Sequence, residues 1–178
     1  MRVWCDLFSG DEMVSDSYKM YGDLEATDDS EVYDLNKHQI MRVLAKTITK
    51  KEGKIDIGGD EENDAEEEEG VSVINLVDAH NLQEVSLSKK DFMATVKPLL
   101  KRVVEHMKEK EKGEEAVKAF QAAATQVIKF VVGKFDEFQI YCGESYDTEA
   151  SMCFSYYPDG ATDPTFLFLT QCYKMKKL

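Results

Sequence analysis

The chain has 178 residues with a formal net charge of −13, and 43% of its residues are hydrophobic. A chain of this length fits one domain, here residues 1–178, and buries roughly 70% of its unfolded surface without a disulfide or metal staple. The negative charge argues against general binding of nucleic acid or anionic membranes. It favours divalent metal ions and basic protein surfaces as partners.

The sequence contains neither a recognisable targeting signal nor a cysteine motif typical of redox or zinc chemistry. Residues 1–8 alternate in character and do not form a signal peptide, and no stretch approaches the roughly 18 apolar residues of a membrane span. The four cysteines form no C-x-x-C pair. We therefore expect a cytoplasmic protein with no membrane span and with reduced, mostly buried thiols.

The amino-terminal segment predicts two strands and a loop. Residues 2–8 alternate, which predicts a strand with one buried face, and residues 13–20 predict the returning strand. Residues 23–31 are polar and acidic, which favours a solvated loop. The residues expected on the buried face of the first strand are Val3, Cys5 and Leu7.

The following segment predicts a hairpin and then a change of composition. Residues 32–35 and 40–48 look like two strands joined by a turn at residues 36–37. Residues 60–69 carry eight acidic side chains in ten positions. Because these like charges repel and cannot be buried, we expect a long mobile acidic loop over residues 58–70. Residues 71–77 resume as an apolar strand.

Two amphipathic helices are predicted next, as a helical hairpin over residues 88–134. Ser88 with Asp91 forms a capping-box-like start, Pro98 predicts a kink or a break, and Gly113 separates the helices. The apolar stripe of the first helix is Phe92, Val96, Leu99, Val103 and Met107. The stripe of the second is Val117, Phe120, Ala124, Val127 and Val131.

Charge is unevenly distributed between the first predicted helix and the rest of the chain. Residues 89–112 contain eight Lys or Arg against four Asp or Glu, a net charge of +4, so the rest of the chain carries −17. Either an acidic partner docks on this basic helix, or the helix is only a solvated face. In the second case, Glu105 would pair with Lys101 or Lys108 one turn away.

The carboxy-terminal segment returns to strands. Residues 138–142, 151–157 and 165–169 are rich in aromatic and β-branched residues, and residues 158–160 form a Pro-Asp-Gly turn. The order of strands, helical hairpin and strands predicts an α+β fold, with one mainly antiparallel sheet completed from both ends of the chain.

No enzyme motif is present. Hydrolase, zinc-protease and phosphate-loop patterns are missing, and residues 60–70 fail as an EF-hand because Ala65 stands where glycine is required. His80, at an expected strand end, could supply one metal ligand, but a lone histidine there is more typical of an ordinary surface residue. Cys142 and Cys153 could meet across strands, and we expect two packed thiols. The sequence therefore predicts a protein that is not an enzyme.

Four segments in a fixed order carry a family resemblance. They are residues 11–18 (DEMVSDSY), 55–59 (IDIGG), 77–84 (VDAHNLQE) and 138–145 (FQIYCGES). Together they resemble the translationally controlled tumour protein family over nearly the whole chain. The resemblance implies a β-tent of mainly antiparallel strands with a projecting α-helical hairpin and a long flexible acidic loop.

The resemblance also implies functions. The family is known for calcium binding, for tubulin association through the helical region, and for contacts with small Ras-type GTPases and translation elongation factors. It acts in cell growth and protects cells from death, and a disputed guanine-nucleotide-release activity has been proposed for it. This chain ends without the terminal cysteine that is common in animal members, so we expect a monomer.

Site residues follow from the matched positions. The resemblance implies GTPase contacts at Glu12 and Glu52. For Glu12, the alternative is a turn carboxylate that caps local backbone amides. The basic helix implied in tubulin binding carries Lys89, Lys90, Lys97, Lys101, Arg102 and Lys108. The candidate ligands for weak calcium binding are Asp60, Glu61, Glu62 and Asp64.

Two other functions remain open at this point. The β-tent is shared with methionine-sulfoxide reductases, so an enzyme of that kind could use Cys142 or Cys153, although their paired C-x-x-C motifs are missing here. The other possibility is an acidic stress chaperone or calcium buffer without a defined site.

Overall fold

The computed structural model describes residues 1–25, 32–50 and 70–178. The strands of the amino-terminal half are β1 (Arg2–Asp6), β2 (Glu12–Ser15), β3 (Lys19–Tyr21), β4 (Ile40–Leu44), β5 (Thr47–Lys50), β6 (Val71–Ile74) and β7 (Gln83–Val85). Those after the helices are β8 (Gln139–Cys142), β9 (Cys153–Tyr156), β10 (Thr165–Leu169) and β11 (Tyr173–Lys177). The α-helices are α1 (Asn75–His80), α2 (Lys89–Glu109) and α3 (Glu114–Gly133). Short 3₁₀ turns cover Phe135–Glu137 and Thr170–Cys172.

The strands of the described residues form three antiparallel sheets, so the prediction of a single sheet was wrong. The order is β11-β1-β2 in the first sheet, β3-β4-β10-β9-β8-β7 in the second and β5-β6 in the third. Both ends of the chain do meet in one sheet, as predicted, because β1 lies between β2 and β11. The N–H of Leu178 donates to the carbonyl of Met1 at 2.8 Å.

Strand β1 is buried on both faces, not on one as the alternation predicted. Trp4 and Asp6 are 1% and 2% exposed, as deeply buried as Val3 and Cys5 beside them. The Asp6 carboxylate tolerates this burial because it is fully engaged. It accepts hydrogen bonds from the Phe8 N–H at 3.0 Å, the Ser9 hydroxyl at 2.8 Å and the Ser151 N–H at 3.1 Å. A buried polar group whose hydrogen bonds are satisfied breaks the pattern without destabilising the fold.

Residues 13–20, predicted as one strand, form parts of two strands in different sheets. Strand β2 ends at Ser15, and the Ser15 and Ser17 hydroxyls hydrogen-bond at 2.7 Å across the turn that follows. Strand β3 then begins at Lys19 and pairs with β4. Local side-chain hydrogen bonds by serine are a common reason for a strand to stop.

The predicted hairpin of residues 32–35 with 40–48 is also wrong. Val32 makes an isolated bridge to Tyr21, and the turn at residues 35–37 is held by Asp34, whose carbonyl accepts from the His38 N–H at 2.9 Å. Strand β4 pairs instead with β3 and β10, while β5 pairs with β6 in another sheet. The partner of β4 in β10 lies too far along the chain to be read from local turn signals.

Residues 71–77 do not form one strand either. Strand β6 ends at Ile74, and Asn75 begins α1, where its side-chain oxygen accepts from the Lys46 N–H at 2.9 Å. His80 therefore ends a helix and not a strand, and Asn81 follows it with a left-handed φ of 54°.

The helical hairpin agrees closely with the sequence. The Ser88 hydroxyl accepts from the Asp91 N–H at 3.1 Å, and every residue of the two predicted apolar stripes is buried. Helix α2 passes through Pro98 without a break. Pro98 and Ala94 are exposed, so water can hydrate the carbonyl that loses its hydrogen bond there. Gly113, with a φ of 94°, precedes α3.

The helices pack on the six-stranded sheet through aromatic side chains. Phe92 of α2 makes an edge-to-face contact with Phe154 of β9 at 5.7 Å between ring centroids. Phe130 of α3 meets Tyr156 at 5.3 Å in the same geometry. The predicted α+β class is confirmed, whereas β7 and β11 had not been predicted.

Candidate functional site

Three of the four motif segments meet at one place on the surface. The Asp11 carboxylate, in the first segment, accepts from the Ser145 hydroxyl at 2.6 Å, the Ser145 N–H at 3.1 Å and the Ser9 hydroxyl at 3.0 Å. Asp11 and Ser145 are 134 positions apart in the chain. A hydrogen bond to a carboxylate is stronger than one between neutral groups, so this pair ties β2 to the loop after β8.

Gly143 allows this approach because it has no side chain. A Cβ at Gly143 would lie 2.4 Å from Asp11 Oδ2 and 2.5 Å from Asp11 Cβ, both inside van der Waals contact. Any other residue at this position would push Asp11 away from Ser145. The glycine of the late motif and the aspartate of the first motif are thus fitted to each other.

The middle segment joins the same place through Asn81 and His80. The side-chain amide of Asn81 donates to Glu144 Oε2 at 3.0 Å. His80 Nδ1 lies 3.9 Å from Glu12 Oε1, and the His80 ring is 6.1 Å from the Tyr18 ring. We call this surface the motif junction: Asp11, Glu12, His80, Asn81, Glu144 and Ser145.

The two sides of the Glu12–His80 contact differ in exposure. The His80 side chain is 8% exposed and the Glu12 side chain 52%. Burial lowers the pKa of His80, and the nearby Glu12 carboxylate partly offsets that effect. At neutral pH the imidazole is therefore uncharged, and the carboxylate of Glu12 remains a solvent-facing negative charge.

Asp11, next to Glu12, is the carboxylate that accepts hydrogen bonds here, and its backbone amide donor is distant in the chain. Asp11 is half-buried and accepts from the Ser145 N–H and from the Ser145 and Ser9 hydroxyls, whereas Glu12 begins β2 and faces solvent. Within the described ranges, no three His, Cys, Asp or Glu side chains come together as a metal site. Chemically, the exposed carboxylates of Glu12 and Glu144 can pair with cationic groups.

Helix α2 presents a second surface of opposite charge. At 3.6 residues per turn, four of the six predicted basic residues lie within about 40° of one another, on the side roughly 140° from the buried stripe. All four are exposed, and none takes part in a salt bridge with another described residue, so the Glu105 pairs are not formed. We call them the lysine stripe: Lys90, Lys97, Lys101 and Lys108.

Lys89 and Arg102 lie about 100° or more to either side of the stripe. Arg102 is half-buried: its guanidinium stacks 4.2 Å above the Phe8 ring and donates to the carbonyl of Glu149. Arg102 therefore connects α2 to the sheet region.

A cleft of about 420 Å³ lies beyond Lys108, at the turn between α2 and α3. Val117 and Lys118 also line this cleft.

The cysteines are all buried free thiols. Desolvation raises the pKa of Cys142 to about 11 and of Cys172 to about 12, and it raises the pKa of Cys153 well above its usual value. The pKa of Cys5 is raised too, again by burial. A thiol must ionise to act as a nucleophile, so these groups are poorly reactive at neutral pH.

Several predicted residues lie outside the described part of the chain. They are the second GTPase contact and the four calcium candidates: Glu52, Asp60, Glu61, Glu62 and Asp64. Sequence reasoning missed the roles of Asp11, His80, Asn81 and Glu144. Their only signal was that each lies inside a quoted motif segment, because nothing in a linear pattern shows which segments touch.

Among the described residues, no helix is both long enough and apolar enough to cross a membrane.

The sequence profile for "Translationally controlled tumour protein" matches residues 1–174. A translationally-controlled tumor protein homolog from Plasmodium chabaudi chabaudi is 33% identical over 174 residues, covering 96% of this chain and 95% of the relative. Homolog 1 from Dictyostelium discoideum is 34% identical over 178 residues, covering 94% of each.

Solved structures agree with these matches. The translationally controlled tumor-associated protein p23fyp from Schizosaccharomyces pombe covers 100% of both chains with a TM-score of 0.75 and 26% identity. A translationally-controlled tumor protein from Caenorhabditis elegans, solved by NMR, covers 100% of this chain and 99% of its own, with a TM-score of 0.62 and 22% identity. The second likeness concerns the fold alone.

Proposed function

The chain belongs to the translationally controlled tumour protein family, and from that premise we propose that it is a non-catalytic cytoplasmic regulator that binds other proteins. It would act in cell growth and survival as a monomer, with a small Ras-type GTPase, tubulin and translation elongation factors as partners. The observation that carries the proposal is the separation of two exposed surfaces of opposite charge: the acidic motif junction and the lysine stripe.

The motif junction supports the GTPase contact. Glu12 is solvent-facing at the start of β2, while its neighbours hold the surrounding backbone through the Asp11–Ser145 and Asn81–Glu144 hydrogen bonds. A nucleotide exchanger needs no nucleophile, since a positioned carboxylate can compete for the Mg²⁺ or the phosphate-loop lysine of its partner. A preorganised carboxylate also loses less entropy on binding.

The test compares Glu12→Ala with Glu137→Ala, a matched loss of one exposed glutamate outside the motif junction. Purified small Ras-type GTPases, in their nucleotide-free and GDP-bound forms, are titrated against each chain. We expect Glu12→Ala to weaken binding by about 1 kcal/mol or more, and the control to leave it unchanged. Equal affinities for both variants would reject Glu12 as the contact.

The lysine stripe supports tubulin binding, since an acidic partner surface would pair with it. The double change of Lys97 and Lys101 to Glu is compared with Lys129→Glu, an exposed lysine on α3. We expect microtubule co-sedimentation to fall at least about fivefold for the double variant, and added salt to weaken the native interaction. Sedimentation of both variants at the native level, at low salt, would show that the stripe is only a solvated face.

Calcium binding by Asp60, Glu61, Glu62 and Asp64 is proposed as weak, with a dissociation constant on the order of 10⁻³ M, because this acidic run lacks the turn glycine with which an EF-hand loop fixes its ligands. Changing all four to Asn or Gln is expected to remove the heat of calcium binding in calorimetry. Heat that persists unchanged would place the ligands elsewhere.

The burial of all four thiols supports the proposal of a non-catalytic protein over that of a methionine-sulfoxide reductase. Alkylation by iodoacetamide at pH 8 is expected to be slow for all four cysteines and to follow the rate of unfolding. One cysteine that reacts quickly in the folded chain, together with turnover of methionine sulfoxide, would favour the enzyme instead. A stress chaperone or calcium buffer without a defined site would show none of the point-specific losses above.

A further inference from the structure

His80 is a buried titratable group next to the exposed carboxylate that the proposed function uses. Its side chain is 8% exposed and lies where α1 packs on β2. Its Nδ1 atom is 3.9 Å from Glu12 Oε1, already within the range of an ion pair. Burial lowers the pKa of His80, so the ring is neutral at pH 7 and gains its charge only on acidification.

Among the residues that the structure describes, few other charged groups lie near this imidazole. On α1 itself, Asp78 is paired with Lys50 of β5 at 3.1 Å. Strand β6 contributes no titratable side chain, and the Tyr18 ring lies 6.1 Å away after β2. Glu144, across the junction, accepts from Asn81. Among the described residues, Glu12 is the charged side chain that raises the pKa of His80, and a hydrogen bond with the Glu12 backbone raises it as well.

We propose that His80 is a pH-dependent positioning residue for Glu12: the protonated ring holds the Glu12 carboxylate at the motif junction, and the neutral ring leaves it available to a cationic partner group. This inference rests on the proposed function of Glu12 as a partner contact. Acidification through the His80 midpoint therefore weakens any partner that binds through Glu12.

The coupling is reciprocal by thermodynamic linkage. A basic partner that occupies the Glu12 carboxylate removes the favourable interaction of the protonated ring and brings its own positive charge close to His80. Partner binding therefore makes His80 harder to protonate, by the same free energy by which protonation weakens the partner. Binding near the midpoint of the His80 titration accordingly releases protons.

The first arm of the test needs no partner. The full chain has three histidines, so their imidazole resonances can be assigned by NMR with a His80→Gln variant. We expect the His80 midpoint to fall by about half a unit in Glu12→Gln, the range for an ion pair with one exposed member. The Glu12 side-chain carboxyl carbon should show an inflection at the His80 midpoint that His80→Gln abolishes. An unchanged midpoint in Glu12→Gln would overturn the proposal.

The second arm uses hexa-arginine labelled with tetramethylrhodamine, a dye whose emission does not change over this pH range, as the cationic probe. We expect its affinity for the native chain to fall about threefold more than its affinity for His80→Gln when the pH is lowered from 7.5 to one unit below the His80 midpoint measured in the first arm, matching an exposed ion pair. Glu12→Gln, changed at an exposed position, should bind the probe with no such difference, whatever affinity the other acidic residues of the chain retain. Equal pH dependence of the native chain and His80→Gln would overturn the proposal.

The two arms separate this inference from the proposed function. If the NMR coupling holds while no GTPase depends on Glu12, the positioning role stands and the GTPase contact fails. If GTPase binding depends on Glu12 but the His80 midpoint is the same in Glu12→Gln as in the native chain, the GTPase contact stands and the positioning role fails.

Discussion

The motif junction and the lysine stripe achieve surface charge in different ways. The junction joins residues from three distant segments through hydrogen bonds, such as Asp11 to Ser145, and it needs Gly143 to have no side chain. The stripe needs only the period of α2, because its lysines are exposed and share no salt-bridge partner among the described residues. A single substitution should therefore disturb the whole junction, whereas the lysines should contribute separately.

The largest expected effect tests the close approach in the junction. Gly143→Ala should lower the free energy of unfolding by about 2 kcal/mol, because Asp11 must leave Ser145 to make room for the methyl group. Gly133→Ala, at the end of α3 with open space around it, should be neutral or slightly stabilising. Urea denaturation measures both, and equal stabilities would mean that Asp11 and Gly143 are not fitted to each other.

The next effect distinguishes Arg102 from its neighbour on α2. Arg102→Met should cost about 1.5 kcal/mol, because it removes the contact with the Phe8 ring and the hydrogen bond to Glu149. Lys101→Met should change the stability by less than about 0.5 kcal/mol. Thermal unfolding of the two variants makes the comparison. Equal losses of stability in the two variants would mean that Arg102, like the exposed lysines, contributes little to the fold.

A smaller effect concerns the support of the stripe. Ser88→Ala removes the side-chain cap of α2 and should cost about 1 kcal/mol, with hydrogen exchange rising in the first turn. Co-sedimentation with microtubules should stay near the native level while the helix remains folded. Loss of binding without loss of stability would show that the helix start is itself a contact.

The smallest effect is the pH dependence of stability at the junction. The pKa of His80 is lower in the folded chain than its unfolded value of about 6.5, so the neutral ring stabilises the fold above that pH. This contribution is lost as the pH falls through the folded pKa. The unfolding free energy of the native chain should therefore decline more steeply below pH 6.5 than that of His80→Gln in the same urea titrations. Parallel curves would contradict the lowered pKa.

The same contrast explains what the sequence could predict. The apolar stripe of α2 was predicted in full, and that of α3 except for Ala123 and Ile128, because a helix repeats over neighbouring residues. The Ser88 cap likewise lies three positions from its donor. The four lysines of the stripe share that period. The family resemblance, confirmed over residues 1–174, rests on short contiguous motifs in the same way.

Several of the errors involve partners that are distant in the chain. Strand β4 pairs with β10 instead of with residues 32–35, and Asp11 meets Ser145 across 134 positions. The burial of Trp4 and Asp6 on the second face of β1 depends on packing that strand alternation does not encode. His80 was expected at a strand end, yet the chain turns into α1 after Ile74. Contacts between distant residues decided the pairing of β4 and the position of Asp11, and neither can be read from a local pattern.

The position of β1 between β2 and β11 has a kinetic consequence for a chain made from its amino terminus. Strand β1 leaves the ribosome before every other strand, yet its partner Tyr173–Lys177 is translated after all of them. The helical hairpin, built from local contacts, can form while synthesis continues, but β1 must wait with one edge unpaired. A chaperone that binds nascent chains would therefore act on this unpaired edge of β1 until β11 is made.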